Sequence, residues 1–217
     1  PAPEAPADGP ATPAWFIEEG MAQPESAYLH ADSGSLFVSL IDGEPGGRDG
    51  NGHIARLTPE GEVVDAMWAT GFNAPKGLRA HDGTLWVADL DEVIGIDIET
   101  AEVTSRIAVE GAEFLNDVAT GPDGTVYVSD SNGLKIYAIA DGEASVFAEG
   151  DVVEAPNGVL VDGNRLLVGS MRQAAAPDSA PGQLFALDLA SGEKTVLSNE
   201  PIGTIDGIEL DGQGGYI

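Results

Sequence analysis

The chain has 217 residues, 42% of them hydrophobic, which is enough for one sizeable core and excludes disorder throughout. Nine Lys and Arg against 37 Asp and Glu give a formal charge of −28, too few cations for nucleic acid or an anionic membrane surface as partner. Cysteine is absent, which removes disulfides and thiolate metal sites, and no apolar run reaches the roughly 18 residues of a membrane span.

In chain order, Pro1 to Ala14 form a Pro/Ala-rich linker without apolar periodicity. The sequence has no initiating Met, and a signal or lipoprotein leader removed ahead of the linker would make the protein periplasmic or secreted. The acidity fits a halophilic or marine source. From Trp15 to Ile217 the 29 Gly and 14 Pro punctuate short apolar runs, the pattern of an all-β domain rich in turns.

Five segments of this domain share one plan: a small polar head, an apolar strand, a Gly turn, then usually a second strand. They are QPESAYLHADSGSLFVS, APKGLRAHDGTLWVAD, FLNDVATGPDGTVYVSD, APNGVLVDGNRLLVGS and TIDGIELDGQGGYI, with heads Glu25, Lys76, Asn116, Asn157 and Asp206. The head spacings of 51, 40, 41 and 49 residues are the size of a four-stranded propeller blade. Two further apolar runs with a turn between them follow in each of the first four repeats, as in HIARLTPEGEVVDAMWA and KIYAIADGEASVFAEG. The predicted fold is therefore a six-bladed β-propeller, here four full blades plus the start of a fifth. Six blades of this size need roughly 270 residues beyond the linker. The remaining strands are expected from a longer sequence or from a partner segment that completes the ring.

In a propeller the innermost strand of each blade lines the central channel, so the five heads ring one mouth and the Gly turns lie at the other end. The loop after each second strand returns to the mouth. Two such loops are long, Asp42 to Gly52 and Met171 to Gly182, and loops in that position shape substrate choice.

Glu25, Asn116, Asn157 and Asp206 offer two carboxylates and two amide oxygens at equivalent points of four blades. Hard oxygen donors of this kind suit Ca²⁺, with another divalent cation as the alternative, and two anionic ligands balance its charge. Taken singly, each Asn also reads as a turn residue and each acid as a solvated surface group. His30, His53 and His81 are not heads, and Asp49-Gly50-Asn51-Gly52 lacks the ligand pattern of a calcium loop. No nucleophile elbow, phosphate loop or dinucleotide fingerprint occurs.

The segments PES, LNDVATGPDGTVYVSDS, PNGVLVDG and IDGIELDG resemble those of the senescence-marker-protein, gluconolactonase and luciferin-regenerating-enzyme (regucalcin-like) family, and more distantly the paraoxonases and diisopropylfluorophosphatase. The resemblance runs from about Trp15 to the C terminus. It implies a six-bladed propeller, Ca²⁺ held by Glu25, Asn116, Asn157 and Asp206, and hydrolysis of small lactones or related esters. Sugar-lactonase members often carry a substrate-contacting Arg where this chain has Phe114, which implies a more apolar lactone or ester. Lys76 departs from the ligand pattern. An ammonium there would meet a substrate carboxylate or an anionic intermediate, or else pair with a neighbouring head acid.

The expected chemistry is metal-polarised attack on a carbonyl, with Asp206 as first candidate to activate water or attack and Asp117 as second. Asp117 follows Asn116 and could reach the same mouth, while strand alternation by itself would turn it away from the channel. Two other readings remain open: a non-enzymatic, calcium-stabilised binding propeller, and phosphotriester hydrolysis at the same metal.

Overall fold

The computed structural model describes residues 13–17, 19–173, 180–198 and 200–217. The linker up to residue 12 and the central part of the Met171 to Gly182 loop lie outside the described residues.

Among the described residues sixteen strands form four antiparallel sheets of four, each a simple meander in chain order. The first blade holds β1 (Pro24–His30), β2 (Ser35–Leu40), β3 (Gly52–Leu57) and β4 (Val63–Phe72). The second holds β5 (Pro75–His81), β6 (Thr84–Asp89), β7 (Glu92–Asp97) and β8 (Val103–Ala108). The third holds β9 (Leu115–Thr120), β10 (Val126–Asp130), β11 (Lys135–Ala140) and β12 (Glu143–Glu149). A 3₁₀ turn, Gly150–Val152, leads to the fourth: β13 (Pro156–Asp162), β14 (Arg165–Ser170), β15 (Leu184–Asp188) and β16 (Lys194–Val196). No helix among the described residues is long and apolar enough to cross a membrane.

Antiparallel neighbours joined by tight turns follow from the turn chemistry. Asp82 and Gly83 both take positive φ, 46° and 78°, the conformation that a two-residue hairpin between right-twisted strands requires. The innermost strands β1, β5, β9 and β13 are neighbours in that order, and the blades stack face to face around them. Phe37, Ile54 and Phe72 of the first blade pack against Leu78, Val87 and Ile94 of the second. Val93 and Val109 meet Leu115, Val128 and Tyr137 between the second and third, and Tyr127 and Ile136 meet Val159, Val168 and Phe185 between the third and fourth. Each such side chain is nearly or fully buried, worth about 1.5–3 kcal/mol apiece, so the cohesion of the molecule lies between blades.

Beyond the fourth blade the chain starts a fifth. Ile205, Ile208 and Tyr216 pack on Leu160, Leu167 and Ala186 of the fourth, and a hairpin closes at Leu210 and Tyr216. Glu209 and Ile217 exchange both backbone hydrogen bonds, at 2.8 and 2.9 Å. On the far face of the first blade, Ile17 and Met21 cover Val38, Leu40, Ala55 and Leu57. The architecture is thus an all-β propeller of four complete blades and the opening hairpin of a fifth.

Candidate metal centre in the central channel

The heads occupy a feature that alternation does not reveal. In every complete blade two residues of the innermost strand face one residue of its neighbour. Pro24 pairs with Leu40 and Ala27 with Val38, leaving Glu25 and Ser26 opposite Ser39. The same count places Lys76 and Gly77 opposite Ala88, Asn116 and Asp117 opposite Ser129, and Asn157 and Gly158 opposite Gly169. These are β-bulges, which locally bend the strand and re-aim a side chain. Ser39 Oγ accepts from Ser26 N at 3.0 Å and Ser129 Oγ from Asp117 N at 3.0 Å, so N–H groups freed by the bulge keep partners.

Just before the heads, buried carboxylates anchor the backbone. Asp89 accepts from Asn73 N and Ala74 N at 2.8 and 2.7 Å, and Asp130 from Glu113 N, Phe114 N and Gly133 N, each at 2.9 Å. Both acids are 0% exposed. In the fourth blade Ser170 stands at that strand position and donates to Glu154 Oε2 at 2.5 Å, while Lys194 Nζ meets Glu154 Oε1 at 2.7 Å.

So held, Glu25, Asn116, Asp117 and Asp206 line one central cavity of about 220 Å³, together with Arg79 and Glu209. Asn157 joins them through Nδ2, which donates to Asp206 Oδ1 at 2.7 Å. That bond orients the amide and leaves Asn157 Oδ1 buried with no hydrogen-bond partner. A buried acceptor without a donor costs about 1–3 kcal/mol, and a cation would supply what it lacks. Gly158 lets the strand approach: a Cβ there would collide with the backbone of Asp206.

Burial pushes the Glu25 carboxyl from its ordinary 4.5 up to about 8; nearby Lys76 opposes the rise, and Asp206 and Asp117 add to it. Asp117 is pushed up to about 6 by burial, against its bonds to Val159 N and Val118 N and the charge of Arg79. Burial disfavours the ionised form of both carboxyls, and a divalent cation beside them would compensate that cost. Among the described residues no three His, Asp or Glu gather as a metal site, so the candidate set rests on two carboxylates plus the two amide oxygens. That donor chemistry fits Ca²⁺.

The other expected residues fall as follows. Asp117 turns toward the channel, contrary to simple alternation, because the bulge shifts the strand's phase. Its Oδ1 accepts from Val118 N and its Oδ2 from Val159 N, both at 2.8 Å, and it sits where a Cβ on Gly77 would be. Lys76 is 1% exposed and does not form an ion pair with a head acid. Its Nζ donates to Ala74 O at 2.8 Å and to Pro45 O at 3.1 Å, and lies 4.5 Å from the Phe114 ring centroid. The ammonium therefore ties the Asp42 to Gly52 loop to the mouth, and its pKa is lowered by burial against the pull of Glu25 and Asp89. Phe114 is half-buried against Ile41, Ala74 and Leu90. His30, His53 and His81 do not line the cavity.

Sequence reasoning missed Arg79 and Glu209, which pair at 2.8 Å. The signal was present: each lies three residues after a head, and Tyr28, at the same offset in the first blade, has its ring centroid 5.0 Å from the Arg79 guanidinium.

No family model matches the chain, and no curated protein sequence does. Solved structures do match. A streptogramin B lyase superposes with TM-score 0.63 at 15% identity, over 89% of this chain and 60% of the lyase. Virginiamycin B lyase from Staphylococcus aureus gives TM-score 0.62 at 14% identity, over 86% and 59%. The shared fold is the β-propeller. A chain of the nidogen/laminin complex has it too, with TM-score 0.59 and 15% identity over 75% of this chain and 64% of that one. The chain spans about three fifths of the length of these structures. Propellers of this shape thus include enzymes and a component of a protein complex, and at such identities the likeness extends to the fold alone.

Proposed function

We propose that the protein is a calcium-dependent hydrolase of small lactones or related esters, of the regucalcin-like kind. The observation that carries the reading is the meeting of hard oxygen donors from four blades at one cavity, with Asn157 Oδ1 buried and unpartnered. Glu25, Asn116, Asn157 and Asp206 would hold the cation. A bound Ca²⁺ supplies Lewis-acid polarisation of the substrate carbonyl.

The chain's own residues do the rest. Asp206 gives only Oδ1 to Asn157 and keeps Oδ2 outside that bond, which makes it the first candidate to take a proton from water. Asp117, with both oxygens committed to backbone N–H groups, is the weaker candidate base and serves to hold the third and fourth inner strands together. Phe114 supports an apolar wall to the mouth, and Lys76 acts on the substrate indirectly by fixing the Pro45 loop.

The test is a panel of lactones, aryl esters and phosphotriesters assayed with Ca²⁺ and with chelator, in the wild type and in Asn157→Ala. The expected result is lactone or ester turnover that chelation and the substitution both abolish. Turnover indifferent to both would refute the metal mechanism, and phosphotriester turnover alone would reassign the electrophile. The nidogen/laminin likeness favours one second reading, a binding propeller with structural calcium. It would be supported by inactivity on the whole panel with Ca²⁺ still raising thermal stability.

A further inference from the structure

Resting on the reading that the heads hold a cation, we propose that Arg79 is a positioning residue for Asp206. It acts through Glu209 across the channel.

Asp206 differs from the other candidate ligands in how its backbone is held. Glu25, Asn116 and Asn157 sit in strands of complete sheets, whereas Asp206 lies between the isolated bridges at Gly203 and Leu210, outside any ladder. Most of the segment's anchors come from the fourth blade. Ile205 N donates to Ser170 O at 3.3 Å, Ile205 and Ile208 pack on Leu160 and Leu167, and Asn157 Nδ2 bonds the carboxylate. Arg79 approaches from the second blade instead and closes on Glu209, three residues beyond Asp206, at 2.8 Å. Among the described residues it is the one ion pair that joins the second blade to the fifth. Its guanidinium is itself braced over Tyr28 of the first blade. The Arg79 side chain is 13% exposed, so the pair is screened less than a surface bridge.

Two effects of removing this cation have opposite signs. As a mere neighbouring charge, Arg79 repels a bound divalent ion, and its loss would tighten binding. As the far anchor of the 203–210 segment, it holds Asp206 at the cavity, and its loss would weaken binding. The geometry favours the second, because the guanidinium's charge is already matched by Glu209, while among the described residues no other ion pair ties the 203–210 segment to the second blade.

The experiment is calorimetric titration of CaCl₂ into the full chain, for wild type, Arg79→Met, Glu209→Gln, the double variant and Arg79→Lys. It is run in about 0.5 M NaCl, where charge effects beyond about 5 Å are screened. Arg79→Met and Glu209→Gln are each expected to weaken Ca²⁺ about tenfold, the double variant no more than either single, and Arg79→Lys to recover part of the loss. Hydrogen exchange in residues 203–210 should rise in both singles while that of β9 and β13 stays unchanged. Glu209 is half exposed, so Glu209→Gln tests the inference even if Arg79→Met does not fold. Equal or tighter binding by both singles would overturn the inference alone. A wild type that binds no Ca²⁺ would overturn it together with the metal-site reading.

Discussion

Glu25→Gln should stabilise the metal-free protein at alkaline pH and cost it stability once calcium is present. Folding raises the Glu25 pKa from 4.5 to about 8, chiefly by burial. An acid whose pKa rises on folding holds its proton more tightly in the folded state. Its contribution is therefore harmless below pH 4.5, and stability is lost as pH climbs from there through about 8. At about 1.4 kcal/mol per pH unit the loss is capped near 5 kcal/mol, and the side chain's partial exposure brings it to about 2 kcal/mol. Glutamine keeps the shape without the charge. In urea unfolding with chelator, wild type and Glu25→Gln should agree near pH 5 and separate by about 2 kcal/mol near pH 9, the variant being the more stable. With saturating CaCl₂ the order should invert, because the variant has lost an anionic ligand. Parallel pH profiles for the two proteins in chelator would refute the assignment of the strained charge to Glu25.

Asp130→Asn should destabilise the third blade by about 3 kcal/mol in denaturant unfolding, since an amide replaces one of two accepting oxygens with an NH2 donor and so leaves at least one of the three backbone N–H groups facing another donor in a buried site. Gly158→Ala should weaken Ca²⁺ binding by pushing away the Asp206 backbone, seen as a rise in Kd by calorimetry with a smaller change in unfolding midpoint. A chain of net charge −28 should gain several degrees in Tm between 0.05 and 1 M NaCl, measured by calorimetry in chelator, as like charges are screened.

The blades were legible because turn dipeptides such as Asp82-Gly83 and alternating apolar strands recur at a blade-sized spacing, and the heads because they recur with them. The orientation of Asp117 was not. A bulge adds one residue to a strand and looks like unbroken sequence, so counting by twos left the side this carboxylate faces open. Nor was the fate of Lys76: its partners are main-chain carbonyls of Ala74 and Pro45, and carbonyls are the same at every position of a sequence. Arg79 and Glu209 were legible in principle. Opposite charges at the same offset from two heads mark sites that share one level of the channel, but only an aligned repeat exposes them.

The extra residue at each head separates two jobs that an ordinary strand performs together. Strand partners flanking Glu25, Lys76, Asn116 and Asn157 keep their register whatever side chain the bulge carries. A head can therefore differ from blade to blade as a tooth in a gear, leaving the wheel intact, as Lys76 does among three oxygen donors. A propeller built this way is a ready chassis for grafting new chemistry one blade at a time.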